Sequence, residues 1–99
     1  IAAIEGVDHL FVGPSDLSQV LGILAQWEND KLWTAIERVA AACKRHGKQW
    51  GTIAINPKYT DRAYAAGCRL LSFGMDIVMV RRGLEATRST FGAMFDKGD

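Results

Sequence analysis

Three short apolar runs, separated by amphipathic segments, constrain the fold of this chain more than any other feature of its sequence. The runs are HLFVG at 9–13, QWGTIA at 49–54 and CRLLSFG at 68–74. Each has the length of a buried strand and is bounded by glycine or proline. Because the segments between and after them have helical periodicity, the order β-α-β-α-β-α indicates a parallel sheet with right-handed crossovers. We predict parallel strands near 8–13, 49–54 and 69–73, apolar on both faces because helices cover them.

Two long helices are predicted from the spacing of apolar side chains. The first covers about 30–46, with Asp30 as its expected cap and Gly47 as its end. The second covers about 77–95. Its apolar seam consists of Ile77, Val80, Leu84, Thr87, Phe91 and Met94 or Phe95.

The remaining segments have weaker signals. Asn56-Pro57 is predicted to open a short helix at 58–66, because proline is favoured at the first helical position. PSDLSQVLG at 14–22 has the composition of a loop. Residues 1–4 are predicted to close a helix, and residues 97–99 to form a frayed tail.

The composition excludes several classes of protein. The 99 residues suffice for one domain or part of one, and the formal net charge is +1. The sequence has no basic stripe of the kind that binds nucleic acid, and no apolar run near the ~20 residues of a membrane helix. No secretory signal is visible. Cys43 and Cys68 have no metal-site or redox spacing, so we expect reduced, half-buried thiols in a cytoplasmic protein.

Three parallel βα units are compatible with two architectures. They can form a small α/β sandwich, or three-eighths of a (β/α)₈ barrel, which typically takes ~250 residues. Periodicity alone does not choose between the two. The chain begins at Ile1 rather than at methionine, so we expect it to be a piece of a longer protein.

The segment GPSDLS at 13–18 follows the first predicted strand, where ligands bind in parallel α/β folds. Gly13 and Pro14 impose a sharp turn, after which the amides of Ser15 and Asp16 can converge on an anion. The Asp16 carboxylate is an oxygen ligand of the kind that a hard divalent cation prefers. The alternative is that these residues only form a turn or a helix cap.

The other polar and aromatic candidates are expected to have structural roles. Asp76 is predicted to cap the last helix, and Asn56 to open a helix rather than to contact a ligand. Trp27 is the one aromatic residue that could face a partner, although a loop anchor is the simpler interpretation. Packing or solvated positions are expected for His9, His46, Trp33, Trp50, Arg81 and Arg82.

EGVDHLFVGPSDLSQVLG at 5–22 resembles the segment around the sixth strand of the HpcH/HpaI aldolase family. These are metal-dependent class II pyruvate aldolases of the hydroxy-oxo-heptanedioate and dehydro-deoxy-glucarate aldolase type. The resemblance continues in family order through AIERVAAACKRHGKQWGTIAINP at 35–57, AGCRLLSFGMD at 66–76 and the last helix.

The resemblance implies a fold and an activity. Residues 1–99 would be a single partial domain, the C-terminal three βα units of a (β/α)₈ TIM barrel. The parent enzyme would be a carbon–carbon lyase that cleaves or forms aldols of a 2-oxo acid and an aldehyde. The reaction would pass through a pyruvate enolate held on Mg²⁺, Mn²⁺ or Co²⁺.

The resemblance also assigns site residues and partners. The metal aspartate of the family corresponds to Asp16, and the amides that hold the substrate carboxylate correspond to Ser15 and Asp16. The family's metal glutamate, catalytic arginine and catalytic histidine have no counterpart here, so the isolated chain is expected to be inactive. In the family the last helix often packs on a neighbouring subunit, which implies a homo-oligomer, with no nucleic-acid or membrane partner.

A second, non-catalytic hypothesis remains open. The chain would then be an α/β module that associates with copies of itself or completes another subunit, because open strand edges and uncovered helix faces drive association. ENDKLW at 28–33 departs from the HPE-type helix entry of the family. An upstream coding region that continues in frame with a glutamate-bearing strand would favour the aldolase, and a start codon at this position would favour the module.

Overall fold

The computed structural model describes residues 1–95 and contains a single small α/β unit. The elements are β1 His9–Val12, α1 Pro14–Val20, α2 Asp30–His46, β2 Gln49–Ile53, α3 Pro57–Ala65, β3 Leu70–Ser72 and α4 Asp76–Phe95. The predicted tail at 97–99 and the side chain of Phe95 lie outside the described residues.

The three strands form one parallel sheet in the order β1-β2-β3. Val12 pairs with Thr52 across β1 and β2, and Ile53 pairs with Ser72 across β2 and β3. The predicted strands and their parallel pairing are therefore confirmed. Parallel neighbours in chain order, joined by helices, are the arrangement found in the wall of a (β/α)₈ barrel.

The sheet has one covered face and one open face. Val12, Trp50 and Thr52 face the helices and are buried. Their core neighbours on the helices and loops include Leu32, Trp33, Ile36, Cys43, Tyr59 and Ala63. On the opposite face, Phe11 and Leu70 are 49% and 50% exposed. The expectation that helices cover both faces is therefore wrong, and the open face is the one that lines the interior of a closed barrel.

The prediction of a loop over 14–22 is wrong, because residues 14–20 form α1. Pro14 occupies the first helical position, where its fixed φ suits a helix start, and it is fully buried. Leu17 donates its amide to the Gly13 carbonyl at 3.0 Å, which is the first hydrogen bond of the helix. Proline, serine and aspartate are common both in turns and at helix starts, so composition does not separate the two.

The predicted helix end at 1–4 is also wrong. The Ile4 amide donates to the Ile1 carbonyl at 3.0 Å, and the Val7 amide donates to the Ile4 carbonyl at 3.2 Å. These bonds close separate turns, and a helix needs consecutive hydrogen bonds to repay the entropy lost in its first turn.

The ends of α2 follow from capping. Asn29, rather than the expected Asp30, is the N-cap, and its side chain accepts a hydrogen bond from the Lys31 amide at 2.9 Å. Asp30 is the first helical residue, where its negative charge favours the helix dipole. Gly47 ends the helix as predicted, in the left-handed conformation (φ +67°) that glycine adopts without strain.

The last helix, α4, has an exposed apolar seam. Ile77 and Leu84 are each 67% exposed, and Phe91 is 48% exposed. The molecule measures 64 × 28 × 22 Å, and a 20-residue helix accounts for about 30 Å of the long axis. The predicted helix is confirmed, and it extends away from the sheet with its seam uncovered by the described residues.

Gly51 allows β3 to lie close to β2. A Cβ at position 51 would lie 2.6 Å from the Leu70 carbonyl oxygen and 2.8 Å from the Leu70 Cβ, so the strands would have to separate. We expect Gly51→Ala to lower the free energy of unfolding by about 1–3 kcal/mol. Gly83→Ala is the matched control, because a Cβ at position 83 on α4 meets open space. This variant should raise the free energy of unfolding by about 0.5–1 kcal/mol, because alanine is a better helix former than glycine. Urea unfolding of the complete protein measures both, and a Gly51→Ala variant as stable as wild type would contradict the prediction.

Cys43 and Cys68 are free thiols that are fully buried, 1% and 0% exposed, rather than half-buried as expected. Burial raises the pKa of both thiols, which keeps them in the unreactive protonated form. We expect iodoacetamide to label neither residue in the native protein at neutral pH and both residues in urea. Peptide mapping by mass spectrometry gives the result for each cysteine, and native labelling at the denatured rate would contradict the assigned burial.

Candidate functional site

The candidate site is the turn that joins β1 to α1. Gly13 is the N-cap of α1 and has no side chain to satisfy the first amides of the helix. Pro14 has no amide hydrogen, and the first helical hydrogen bond comes from Leu17. The amides of Ser15 and Asp16 therefore precede the hydrogen-bonded part of the helix. They lie at the carboxyl edge of the parallel sheet, where an anion-binding turn is predicted from the sequence.

Asp16 lies in the first turn of α1, and its side chain is exposed. No hydrogen bond or ion pair within residues 1–95 involves its carboxylate. An exposed carboxylate without a protein partner fits a metal ligand in charge and in access. Its position beside a helix start also fits a simple structural role, since negative charge is favourable there.

The donor set for a metal ion is incomplete in the part of the chain described. No group of three or more His, Cys, Asp or Glu side chains comes together among residues 1–95. Asp16 can therefore provide one ligand, and a set of three protein side chains around a divalent cation would need residues from outside this range.

Helices begin after the other two strands, and Asn56 is a helix cap as predicted, whereas Asp76, predicted to cap α4, is its first helical residue. Asn56 is the N-cap of α3, and its side-chain oxygen accepts a hydrogen bond from the Tyr59 amide at 2.8 Å. Asp76 is the first residue of α4, and its carboxylate accepts from the Ile77 amide at 2.7 Å. Parallel topology brings both to the same edge as Asp16, where Asn56 Oδ1 and one carboxylate oxygen of Asp76 accept hydrogen bonds from helix-start amides.

The histidines do not join this site. His9 lies at the start of β1, at the opposite edge of the sheet, and its buried Nε2 has no hydrogen-bond partner among the described residues. His46 is exposed in the last turn of α2, where a positive charge favours the helix dipole. Their predicted structural positions are consistent with this placement.

The tryptophans pack, and Trp27 acts as a loop anchor. The Trp27 carbonyl accepts a hydrogen bond from Trp33 Nε1 at 2.7 Å, and its ring meets Tyr59 edge-on at 6.3 Å. Trp33 and Trp50 are each 2% exposed. Arg81 and Arg82 are exposed on α4, as predicted.

Ser18 links the turn at the start of α1 to the loop that follows α1, a role that could not be predicted from the sequence. Its hydroxyl is fully buried, donates to the Ser15 carbonyl at 2.9 Å and accepts from the Ala25 amide at 3.2 Å. Ala25 has a positive φ of 58°, which is uncommon for a residue other than glycine. The loop between α1 and α2 is therefore tied to the same turn that carries Asp16.

Thr52 and Tyr59 are two further residues at this edge that sequence reasoning missed. Thr52 donates its hydroxyl to the Val12 carbonyl at 2.9 Å, and its oxygen lies 2.9 Å from the Tyr59 hydroxyl. The one sequence signal was a hydroxyl residue on the helix-facing side of an otherwise apolar strand.

A separate cavity of about 520 Å³ lies near the amino edge of the sheet, away from the turn. It is lined by residues of α2, of the start of β2 and of the segments before β2 and β3, among them Cys43, Lys48, Trp50 and Gly67. Trp50 Nε1 is buried there without a hydrogen-bond partner in the described residues. Its lining contains none of the residues of the turn, so the two features are independent.

Within residues 1–95, no helix combines the length and the apolar character that crossing a bilayer requires.

The HpcH/HpaI aldolase/citrate lyase family has a sequence model that matches residues 1–82 of the chain. The chain is 31% identical over 93 residues to a 4-hydroxy-2-oxo-heptane-1,7-dioate aldolase of Escherichia coli, covering 94% of this chain and 36% of that protein. It is 35% identical over 91 residues to a 5-keto-4-deoxy-D-glucarate aldolase of Klebsiella pneumoniae subsp. pneumoniae, covering 92% and 36%.

A solved structure extends the similarity from sequence to fold. A HpcH/HpaI aldolase/citrate lyase family protein from Burkholderia cenocepacia J2315 is 37% identical, with a TM-score of 0.75. The match covers 95% of this chain and 35% of that one, so the chain spans about a third of the length of these relatives. With a parallel barrel-type sheet, and with the family model matched from residue 1 to residue 82, the chain belongs to the HpcH/HpaI aldolase/citrate lyase family.

Proposed function

We propose that this chain contributes one wall of the active site of a metal-dependent class II aldolase acting on 2-oxo acids through a pyruvate enolate. Family membership and the names of the curated relatives support an aldolase or lyase. The observation that carries the proposal is the turn at 13–16, which presents two helix-start amides and an exposed carboxylate at the carboxyl edge of the sheet. Residues outside this chain would complete the site, with this chain as the C-terminal part of the barrel domain.

The amides of Ser15 and Asp16 are proposed to bind the carboxylate of the 2-oxo acid. Amides at a helix start point along the axis toward the ligand, and the helix dipole favours a negative charge there. Pro14 supports this role because it fixes φ at the start of α1, so the two amides keep one direction without being used inside the helix.

Asp16 is proposed to provide one ligand for Mg²⁺, Mn²⁺ or Co²⁺. When bound, a divalent cation supplies Lewis-acid stabilisation of the negative charge that develops on the substrate oxygen. The contribution of Asp16 is its formal negative charge, next to the amides that hold the substrate carboxylate. The cation and the substrate carboxylate would then be held by adjacent parts of one turn.

The free, buried thiols of Cys43 and Cys68 support a proposal for the cellular compartment of the protein. Two buried, free cysteines fit a reducing environment, and we propose the cytoplasm.

Substitution of Asp16 by asparagine tests the metal role. Asp16→Asn keeps the shape and the helix-start compatibility of the side chain but removes one ligand charge. We expect metal-dependent release of pyruvate by the complete protein to fall by at least about 10²-fold, which corresponds to ~2.7 kcal/mol of transition-state stabilisation. The steady-state rate with saturating substrate and Mn²⁺ is the measurement.

Asp30→Asn is the matched control, because Asp30 is also an exposed aspartate in the first turn of a helix. It should leave the rate within about twofold of wild type, because surface changes away from a site have small effects. Equal rates for wild type and Asp16→Asn would leave Asp16 as a turn former and reject it as a metal ligand.

The non-catalytic alternative has its own supporting observation. The open face of the sheet and the seam of α4 expose large apolar side chains, including Phe11, Leu70 and Leu84. Exposed apolar patches of this kind mark surfaces that another chain covers. A chain that only completes another subunit would show association without metal-dependent pyruvate release.

We expect the 99-residue chain to self-associate, as part of a proposed homo-oligomer. The exposed residues of α4 and the unpaired edges of β1 and β3 would be covered by other copies. Sedimentation equilibrium at micromolar concentration should give a mass above the 10.9 kDa of one chain. A single clean species at the monomer mass would contradict the expectation.

A further inference from the structure

The carbonyl of Val12, the last residue of β1, accepts a hydrogen bond from a side chain of the neighbouring strand β2. The Thr52 hydroxyl donates to it at 2.9 Å, forty residues along the chain. Thr52 is 0% exposed and Val12 is 7% exposed, so water has little access to this bond. Removal of the Thr52 hydroxyl would therefore remove a buried hydrogen bond at the end of β1.

The direction of the hydrogen bonds follows from the number of protons. A threonine hydroxyl has one proton, and Thr52 uses it on the Val12 carbonyl. The Tyr59 hydroxyl, 2.9 Å from the Thr52 oxygen, must therefore be the donor in the second bond. Burial raises the pKa of Tyr59, so this hydroxyl keeps its proton at neutral pH. The result is a directed chain from Tyr59 to Thr52 to Val12.

Tyr59 is itself held in place on all sides. It is 3% exposed, its ring packs against Trp33 at 5.1 Å, and its amide is bound by Asn56 at α3. The hydroxyl therefore has a fixed position, and it restricts the rotation of the Thr52 hydroxyl to the direction of Val12.

The bound carbonyl lies directly before the candidate site. The Val12 carbonyl and the Gly13 amide belong to one planar peptide group, so fixing the carbonyl fixes the plane that enters the turn. Gly13 has no Cβ and is the residue with the widest range of backbone conformations, so nothing in its own side chain would hold this plane. Its carbonyl is the one that accepts from Leu17 and starts α1.

We propose that Thr52, oriented by Tyr59, is a positioning residue that fixes the direction of the turn carrying Ser15 and Asp16. The proposal rests on the proposed function of that turn. Neither Thr52 nor Tyr59 would touch substrate or metal, and their effect would pass through the Val12–Gly13 peptide. Groups that orient a metal ligand without binding the metal typically contribute 10–100-fold to metal affinity or activity. For Thr52 we expect a contribution of about 10-fold to metal affinity.

The test compares three variants of the complete protein. Thr52→Val keeps the volume of the side chain but removes the hydroxyl, Thr52→Ser keeps the hydroxyl, and Tyr59→Phe removes only the donor to Thr52. Mn²⁺ affinity, measured by calorimetry without substrate, should weaken about 10-fold in Thr52→Val and remain near wild type in Thr52→Ser. Tyr59→Phe should weaken it less, because Thr52 can still donate to Val12. Asp16→Asn, measured in parallel, gives the affinity lost with the ligand itself.

Amide hydrogen exchange separates positioning from a general loss of stability. The Leu17 amide, bound to Gly13, should exchange faster in Thr52→Val. The Lys48 amide, which donates to the Cys43 carbonyl at the opposite edge, should be unchanged. Thr52→Ser should restore the wild-type exchange rate at Leu17. If Thr52→Val does not fold, the exchange rates of the Leu17 and Lys48 amides are compared between Tyr59→Phe and wild type. Faster exchange at Leu17 alone supports the positioning role, and unchanged exchange at both amides rejects it.

Two results would overturn the proposal, and they differ. If wild type binds Mn²⁺ and releases pyruvate while Thr52→Val has the same affinity and the same Leu17 exchange, the positioning role is rejected and the proposed function stands. If wild type neither binds Mn²⁺ nor releases pyruvate, the proposed function fails, and the positioning role fails with it.

Discussion

The central strand, β2, is hydrogen-bonded along both edges, and the rest of the structure depends on this double pairing. It fixes the heights of β1 and β3 relative to each other, so the strand ends meet at one edge. It also permits only a glycine at position 51, because the neighbouring backbone lies where a Cβ would be. On the helix-facing side, the same strand carries Trp50 and Thr52, which are both buried. One five-residue segment therefore sets the sheet, the core and the support of the candidate site.

The aromatic residues beside β2 connect elements that are distant in sequence. Trp33 on α2 contacts Tyr59 on α3, and its indole nitrogen holds the Trp27 carbonyl in the preceding loop. The Arg62 guanidinium lies 4.3 Å from the centre of the Trp33 ring, and it also approaches Glu37 at 3.9 Å. Stacking of this kind lets an exposed charged group cover an apolar ring without losing its hydration. Near these aromatic residues, Lys58 forms an ion pair with Glu28 and lowers the pKa of the Glu28 carboxyl. Glu28 therefore stays negatively charged at the exposed edge of this group of side chains.

Features that depend on interactions within one segment could be predicted from the sequence, whereas features that depend on contacts between distant segments could not. The strands and α2 were predictable because apolar spacing within one segment determines which side is buried. The first helix was not, since Pro14, Ser15 and Asp16 suit both a turn and a helix start, and buried contacts of Pro14 and Ser18 favour the helix. Asn29 and Asp30 are both good capping residues, and only the extended backbone at Asn29 distinguishes them. The Asp16 turn could be located by its position after a strand. The hydroxyls of Thr52 and Tyr59 could not, because their partners are set by strand pairing and by the direction of α3.

The two bonds that hold the loop between α1 and α2 have a consequence for how this protein can change over evolutionary time. Ser18 binds the Ala25 amide and Trp33 binds the Trp27 carbonyl, so two points only two residues apart are each tied to a different helix. An insertion or a deletion between Ala25 and Trp27 would break one of these bonds or force the backbone at Ala25 into another conformation. Substitution of exposed side chains such as those at 24, 26 and 28 would leave both bonds in place. Loop length, the usual route by which barrel proteins diversify their carboxyl edge, is therefore restricted between Ala25 and Trp27.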